Sequence, residues 1–171
     1  MLDTLDTDRL ILRPFVASDL DFMAELMGDP DVMAMIGDGP LDRQAAWHKL
    51  LLRGGSWHMQ GLGSWKICLR DGTPIGEVGF FDALRDASYD VADTVEAGWS
   101  LLPAYWRQGY GREAVAAAHA WYDDKAGGLP LIAIIRDGHA ASLRLAQGCG
   151  YAHFRDVAFG GRPNQILRRV V

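Results

Sequence analysis

The sequence predicts an α+β protein with a mixed, mostly antiparallel sheet of six to seven strands and about four helices. Two observations support this prediction. One pair of strand-like segments is joined by a two-residue Asp-Gly turn, and a later pair is joined through an alanine-rich helical segment. A two-residue turn requires antiparallel strands, whereas a helical crossover places its flanking strands in parallel. The sheet is therefore expected to contain both kinds of pairing.

The chain begins with a predicted strand and helix. Residues 9–15 alternate in polarity as RLILRPF, which indicates a half-buried strand. Ser18 or Asp19 can then accept hydrogen bonds from the first amides of a helix that runs through about Met27.

A second helix is predicted after two groups of helix-breaking residues. These breakers are DPD at 29–31 and GDGP at 37–40, and apolar residues then recur at helical spacing over 41–53. Gly54 and Gly55 are expected to end the helix, because glycine favours the left-handed conformation of a helix C-terminus.

A hairpin and a fourth strand are predicted in the middle of the chain. Residues 64–70 and 74–81 flank Asp71-Gly72, the type of turn that joins adjacent antiparallel strands. A polar connector over 82–93 leads to the fourth strand at 94–102.

The last third of the chain predicts a crossover and a final hairpin. An alanine-rich helix starts after Gly109 and Gly111, and the continuous apolar run LIAIIR at 131–136 predicts a buried strand parallel to the fourth one. A short helix around Ser142 precedes two final strands. These strands are predicted at 151–159 and 165–170.

Composition indicates a single domain, 1–171, since no repeat, low-complexity tract or long linker divides the chain. The net charge of −5 argues against a nucleic-acid-binding surface. The N-terminal residues are acidic where a signal peptide would be basic, and apolar runs are too short for a membrane span. A soluble, cytoplasmic protein without a membrane partner is therefore expected.

No metal site is expected from the sequence. Cys68 and Cys149 are far apart and belong to no CxxC motif, and no HExxH motif is present. The two cysteines are interpreted as thiols of the protein core.

The segment 96–118 predicts an anion site. It reads as a strand, a turn with Gly109 and Gly111, and a helix. The first amides of a helix lack intrahelical acceptors, and glycine permits close approach to the main chain, so a phosphate group is favoured there. Arg107 and Arg112 flank the glycines with positive charge. A tight turn with solvated arginines is the alternative interpretation.

The order of these elements resembles the GNAT superfamily of acyl-CoA-dependent N-acetyltransferases. Within it, the chain is most similar to the bacterial branch that acetylates the N-terminal amine of ribosomal proteins. Three stretches carry the resemblance: the first strand and helix (TDRLILRPFVASDLDFMAEL), the segment 96–114, and DGHAASLRLAQGCGYAHF at 137–154. Residues 29–62, where this fold usually shapes its acceptor pocket, carry no matching motif.

The resemblance implies a binding site for coenzyme A. The superfamily pattern Q/R-x-x-G-x-G/A falls on residues 106–111, with Trp106 where Gln or Arg is usual. In the family, the fourth and fifth strands are parallel and splayed, and the pantetheine arm pairs with main chain at the splay. The residues that this resemblance assigns to acetyl-CoA are Trp99, Leu101, Leu102, Arg107, Gln108, Gly109, Tyr110, Gly111, Arg112, His139 and Ser142.

The resemblance also implies candidate catalytic residues. Glu96 aligns with a strand carboxylate that certain relatives use as general base, and Glu77 is a second candidate. The tyrosine that many relatives use as general acid is replaced by Ala146. Ser142 stands where the ribosomal-protein branch carries a serine proposed to donate a proton to the thiolate, so the resemblance implies this role for it. His139 stands where the branch normally has asparagine.

Three functional interpretations follow. The first is an N-acetyltransferase that uses acetyl-CoA and no metal, with a protein N-terminal amine or a small amine as acceptor. The second is a GNAT-like module that binds acyl-CoA without transfer. The third is a dinucleotide-binding protein, because Gly109, Gly111 and Ala114 also satisfy G-x-G-x-x-G/A. A monomer and a homodimer are both compatible with the sequence.

Overall fold

The computed structural model describes residues 3–126 and 128–170, which form one mixed sheet and five α-helices. The sheet has eight strands in the order β1-β2-β3-β4-β5-β6-β8-β7. The strands are β1 (Leu5–Asp6), β2 (Leu10–Pro14), β3 (Ser64–Leu69), β4 (Pro74–Phe81), β5 (Val95–Leu101), β6 (Leu131–Arg136), β7 (Tyr151–Phe159) and β8 (Arg162–Arg169). The helices are α1 (Leu20–Gly28), α2 (Pro30–Ile36), α3 (Arg43–Gln60), α4 (Tyr110–Trp121) and α5 (Ala140–Gly148).

The predicted fold class is confirmed. Adjacent strands are antiparallel except β5 and β6, which pair in parallel as the α4 crossover requires. The structure has eight strands where six to seven were predicted, because the two-residue strand β1 adds to the edge of β2. The Asp71-Gly72 turn joins β3 to β4, and Gly72 has a φ of 90°.

Strands β5 and β6 pair in parallel only near their first residues and then diverge. The paired residues are Val95 with Leu131 and Glu96 with Ile132, although both strands continue for several residues further. A gap between β5 and β6 results. The predicted splay of the fourth and fifth strands is therefore found between β5 and β6.

The predicted break at residues 29–31 is wrong, because these residues start α2. The Asp29 carboxylate accepts hydrogen bonds from the amides of Asp31 and Val32, both at 2.9 Å, and Pro30 occupies the first helical position. Asp and Pro therefore act here as a helix cap and a helix-compatible first residue.

The predicted end of the second helix at Gly54 and Gly55 is also wrong. Helix α3 continues through both glycines and ends at Gly61, whose φ of 68° is left-handed. Two exposed glycines cost a helix roughly 1 kcal/mol each. The burial of Trp57, which is 5% exposed, and of the Arg53 side chain offsets that cost.

Two layers of helices cover the sheet. Helix α4 buries its alanine face against the larger core cluster, which contains Leu12, Trp65 and Phe80. Helices α1, α2 and α3 form a second cluster with Phe15 and Leu102. Trp57, Trp65 and Phe80 are thus core residues, and Phe81 contributes to a cavity on the other side of the sheet.

Both cysteines are free thiols, as interpreted from the sequence. Cys68 is buried on β3, and Cys149 is half-buried after α5.

Candidate active site

A cavity of about 720 Å³ lies along β4, β5 and β6, beneath α2 and α3, at the place where β5 and β6 part. Its wall includes the predicted site residues Glu96, Trp99, His139 and Ser142, together with Glu77. Further charged residues contribute to the same wall. They are Asp38, Lys49, Arg53, Asp82, Arg85 and Arg136.

Glu96 is held in this wall by Arg85. The Nε and Nη2 atoms of Arg85 donate to the two carboxylate oxygens of Glu96 at 2.8 and 2.9 Å. The residue is 9% exposed, and burial raises the pKa of Glu96 above its ordinary value although Arg85 and Arg53 lower it. The carboxylate is therefore both ion-paired and more basic than one in water.

Glu77 forms a second pair of the same kind with Arg53 of α3. The Nε and Nη2 atoms of Arg53 donate to Glu77 at 2.9 and 2.8 Å, and the Glu77 side chain is 8% exposed. Both carboxylates that the sequence suggested as bases are thus neutralised by arginines from neighbouring segments.

Ser100 brings an unpartnered hydroxyl to the cavity. It is the cross-strand neighbour of Glu77, lies on the same face of β5 as Glu96, and is 9% exposed. Its Oγ has no hydrogen-bond partner among the described residues. A buried hydroxyl without a partner is costly, so Ser100 offers a hydrogen bond to a molecule in the cavity.

Ser142 lies opposite β5, at the start of α5. Its Oγ accepts a hydrogen bond from the indole Nε1 of Trp99 at 2.9 Å. A serine hydroxyl that accepts in this way still has its own proton to donate. Ala146, one turn further along α5, is fully buried in the core and carries no proton donor.

His139 precedes α5 and faces the cavity without capping the helix. Its side chain makes no cap hydrogen bond, and burial together with Arg136 lowers the pKa of His139. The imidazole is consequently neutral at pH 7 and offers one donor and one acceptor, as an asparagine amide would.

The glycine turn before α4 lies beyond the cavity, at the other end of the gap. Arg107 and Gly109 have left-handed φ values of 60° and 84°, and α4 starts at Tyr110. Among the described residues, the amides at 107–112 have no protein acceptor. The first main-chain hydrogen bond of helix α4 runs from Glu113 N to Gly109 O at 3.1 Å. Six amides are thus available at a helix N-terminus.

Arg9 organises this turn, and sequence analysis missed it. Its Nη1 donates to the carbonyl oxygen of Gln108 at 3.0 Å, and its guanidinium lies 4.5 Å from the centre of the Tyr110 ring. Its Nε donates to Glu113 at 2.7 Å, and Thr7 donates to the same carboxylate at 2.6 Å. Only the tertiary fold brings Arg9 to a turn about a hundred residues later.

Main-chain groups of β5 face the gap. The amide of Val95 donates towards β6, to Pro130 O at 3.0 Å, and main-chain groups of a strand alternate between its two neighbours. Those of Trp99 and Leu101 therefore point into the gap. The indole of Trp106 donates to Leu101 O at 2.7 Å, so this tryptophan bonds to the main chain beside the gap.

The structure thus divides the predicted site residues into two groups. Glu96, Trp99, His139 and Ser142 line one cavity, whereas Leu101, Leu102 and residues 107–112 lie at the glycine-turn end of the gap. Sequence analysis missed Arg53 and Arg85. Neither belongs to a functional motif. Arg85 lies in the polar connector and Arg53 at the end of the amphipathic segment 41–53, and each acquires its role only by pairing with a strand carboxylate.

A splayed parallel pair, with free helix amides at one end and a polar cavity at the other, is the arrangement of an acetyltransferase that binds coenzyme A along the gap. The chain belongs to the GNAT acetyltransferase family, because the family model described as "Acetyltransferase (GNAT) domain" matches residues 9–152.

Similar proteins agree with this family. A protein from Bordetella pertussis assigned to the GNAT acetyltransferases is 28% identical and has a TM-score of 0.86, with 99% of this chain and 100% of that chain covered. An Aspergillus fumigatus relative, FsC-acetyl coenzyme A-N(2)-transacetylase, is 26% identical over an alignment of 155 residues that covers 88% of this chain. The match covers 65% of the fungal protein, so this chain spans about two thirds of its length.

A ribosomal L7/L12 alpha-N-protein acetyltransferase, solved in complex with coenzyme A, is also similar. It is 13% identical with a TM-score of 0.80, and 99% of this chain and 98% of that chain are covered. An identity this low shows a shared fold alone. The predicted likeness to the ribosomal-protein branch therefore remains a prediction.

Across 3–126 and 128–170, no helix combines the length and apolar character needed to cross a membrane. Within the same ranges, no three His, Cys, Asp or Glu side chains are grouped so that they could hold a metal ion.

Proposed function

We propose that the protein is an N-acetyltransferase in which a primary amine attacks the acetyl thioester directly in a ternary complex. The observation that supports this proposal is the cavity itself, whose wall contains both Glu96 of β5 and Ser142 of α5. Direct transfer requires a proton acceptor on the amine side and a proton donor on the sulfur side.

The residues present fit coenzyme A. The free amides at 107–112 suit a pyrophosphate at a helix N-terminus, and Arg107 and Arg112 add positive charge. The gap-facing main chain of Trp99 and Leu101 suits an extended arm with amide groups, which would pair there as an added strand does. Leu102, Gln108, Tyr110 and Gly111 complete the proposed cofactor contacts, with His139 and Ser142 at the cavity end.

Glu96 is the proposed base. The amine must lose a proton to become a nucleophile, and burial brings the proton affinity of Glu96 closer to that required at neutral pH. Arg85 occupies one lone pair on each carboxylate oxygen, which leaves a second lone pair for the amine. Glu77 is less suited to this role because its nearest polar contact, Arg53, comes from the helix that covers it.

Ser142 is the proposed proton donor on the sulfur side. Acetyl-CoA, when bound, supplies an acetyl group activated as a thioester. As the nitrogen–carbon bond forms and the carbon–sulfur bond breaks, Glu96 takes the amine proton and Ser142 donates its hydroxyl hydrogen to the sulfur. The proton on Glu96 returns to Ser142 through solvent, so coenzyme A leaves as the thiol and both residues regain their starting forms. The hydrogen bond from Trp99 to Ser142 Oγ stabilises the serine oxygen as it loses that proton.

The acceptor is proposed to be a protein N-terminal amine or a small amine. Free-thiol release from acetyl-CoA should be measured with peptides that begin with Ala, Ser or Met, with polyamines and with aminoglycosides. We expect at least one amine to raise the rate at least about tenfold above acetyl-CoA hydrolysis without acceptor, since general base catalysis alone contributes about a hundredfold or more. Mass spectrometry of the product should locate the acetyl group on nitrogen.

A panel in which no amine raises thiol release, although acetyl-CoA binds, would overturn the enzymatic proposal in favour of a module that binds acyl-CoA without transfer. Acetylation of a hydroxyl rather than an amine would overturn the N-acetyl assignment alone.

A further inference from the structure

We propose that Arg85 is a positioning residue, which fixes the Glu96 carboxylate in its ionised form and in one orientation at the cavity wall. This inference rests on the proposed function, in which Glu96 accepts the amine proton. Arg85 lies in the connector between β4 and β5, a segment without a sequence motif.

The hydrogen-bond geometry supports the proposal first. Two N–H groups of one planar guanidinium bond the two oxygens of Glu96, at 2.8 and 2.9 Å. Such a pair fixes the plane of the carboxylate as well as its position, which a single charge cannot do. The lone pairs that remain on Glu96 are thereby directed into the cavity.

Arg85 is itself held on several sides. Its guanidinium lies 4.5 Å from the centre of the Phe159 ring, and its side chain is 22% exposed. The connector is fixed before Arg85 by Gln60, whose side-chain amide exchanges two hydrogen bonds with the main chain of Asp82 at 3.1 and 3.2 Å. It is fixed after Arg85 by Tyr89, whose hydroxyl donates to Ala158 O at 3.2 Å.

The charges around Glu96 are the second line of support for the proposal. Burial of Glu96 disfavours its ionised form, and two cations oppose that effect, Arg85 from the connector and Arg53 from α3. Arg53 already makes two hydrogen bonds to Glu77, so it cannot replace Arg85. The neighbouring residues on β4 and β6, Phe81 and Ile132, are apolar and provide no compensating charge.

The direct test measures the ionisation of Glu96 in the free protein, without acetyl-CoA or acceptor. Carboxyl carbon resonances should be followed by NMR as the pH is changed, with the Glu96 signal assigned from its loss in Glu96→Gln. We expect Arg85→Gln to raise the pH midpoint of Glu96 by about one pH unit or more, since a cation at this distance lowers a carboxyl pKa by about 1–3. Arg85→Lys should raise it less, because it keeps the charge.

The kinetic test follows kcat/KM against pH, with acetyl-CoA and the amine found active in the acceptor panel. Glu96→Gln should abolish the acidic limb that titrates at the NMR midpoint of Glu96, leave the limb set by the acceptor amine itself, and lower the plateau about a hundredfold. Arg85→Gln should move that limb to higher pH by the same amount as the NMR midpoint. Arg85→Lys should leave the limb near its wild-type position and lower kcat, since lysine does not fix the carboxylate plane.

Arg43→Gln is the matched control. Arg43 pairs with Asp21 at 2.7 Å, but both side chains are largely exposed and neither lines the cavity. This variant loses an arginine–carboxylate pair and should keep the wild-type midpoint and profile. Circular dichroism and acetyl-CoA binding should show that each Arg85 variant folds.

The two proposals fail in different ways. If Glu96→Gln keeps the limb that titrates with Glu96, the assignment of Glu96 as base and the role of Arg85 are both overturned, whereas the acetyltransferase activity itself is tested by the acceptor panel. If Glu96→Gln loses the limb while Arg85→Gln retains the wild-type NMR midpoint and profile, the role of Arg85 alone is overturned. A fall in kcat for Arg85→Gln with no movement of either midpoint would likewise refute the electrostatic role assigned to Arg85.

Discussion

His119 on α4 is a buried, titratable residue outside the cavity. It is 5% exposed, its Nε2 lies 3.0 Å from the hydroxyl of Tyr151, and its ring is stacked on Phe80 with the centroids 6.0 Å apart. Burial lowers the pKa of His119 to about 4 and raises the pKa of Tyr151. Both side chains are therefore neutral at pH 7 and packed as core residues.

This burial makes stability depend on pH. The unfolded chain binds a proton at His119 below a pKa of about 6.5, whereas the folded protein binds it only near pH 4, so folding is disfavoured as the pH falls through that window. We expect His119 to make the free energy of unfolding about 2 kcal/mol lower at pH 5 than at pH 7. In His119→Gln, this contribution to the decrease should be absent.

Urea denaturation of wild type and His119→Gln at pH 5 and pH 7 measures this contribution. Subtracting the variant's loss of stability between the two pH values from that of the wild type cancels the effects of the other titrating groups. Equal losses of stability in wild type and His119→Gln would show that His119 is protonated in the folded state.

Individual residues of the site were predictable where a pattern or a resemblance placed them. Glu96, Ser142 and His139 were named from the sequence, and all three line one cavity. Their partners were not predictable. Arg85 reaches Glu96 across 11 positions and Arg53 reaches Glu77 across 24 positions, and no local periodicity links these residues.

At the scale of elements, the glycine turn before α4 depends on Arg9 as well as on its own sequence. A Cβ at Gly109 would lie 3.2 Å from Nη2 of Arg9, and the φ of 84° is one that side chains rarely adopt. The turn therefore combines a left-handed conformation with a close contact to Arg9, just before β2, and both conditions favour glycine.

Gly109→Ala should weaken acetyl-CoA binding. An alanine in this left-handed conformation costs about 1–2 kcal/mol of backbone strain. We expect the turn to relieve that strain by shifting, which misplaces the free amides. The KM for acetyl-CoA should therefore rise roughly tenfold, with a smaller change in kcat. Steady-state kinetics with varied acetyl-CoA measure both.

Gly72→Ala is the control for this variant. Gly72 also has a left-handed φ of 90°, lies in the β3–β4 turn and has open space around its Cβ position. It should lose comparable stability and keep the wild-type KM. A similar KM increase in both variants would indicate a general loss of folding rather than a local effect on the turn.

Elements were predicted best where side-chain pattern and turn chemistry agreed. The hairpin around Asp71-Gly72 and the crossover through α4 were correct, because short turns and helical crossovers leave few alternatives. The turn itself is longer than predicted, since Leu69 bonds with Thr73 and residues 70–72 form a three-residue loop. Helix α2 and the extension of α3 were missed. Their breaker residues are tolerated because Asp29 caps one helix and Trp57 anchors the other to the core.

For the whole molecule, the two faces of the sheet have different roles. Arg13, Lys66, Glu77 and Ser100 are cross-strand neighbours in one row over β2 to β5. The opposite face carries the apolar residues that pack on α4. Asp19 neutralises one end of the row, with oxygens 2.7 Å from both Arg13 and Lys66. Because its charged side chains are paired, the polar face can be buried. The row of polar residues ends at Glu77 and Ser100 in the cavity wall.

The family predicts which nucleotide stabilises this fold. The glycine turn follows the fifth strand of a mixed sheet, whereas a dinucleotide site follows the first strand of a parallel one. A ligand of the native state at a hundred times its Kd adds about 2.7 kcal/mol to the free energy of unfolding. For a chain of this size, that corresponds to a rise in Tm of about 5–10 °C.

Acetyl-CoA and desulfo-CoA should therefore each raise Tm by several degrees, and NAD at equal concentration should leave it unchanged. Desulfo-CoA lacks the thioester, so its effect reports binding without reaction. In Gly109→Ala, a tenfold weaker Kd should reduce the stabilisation by a fixed concentration of acetyl-CoA by about 1.4 kcal/mol, so the rise in Tm should be smaller. Gly72→Ala should show the full rise in Tm. Stabilisation by NAD with none by either coenzyme A compound would contradict the placement of the pyrophosphate at residues 107–112.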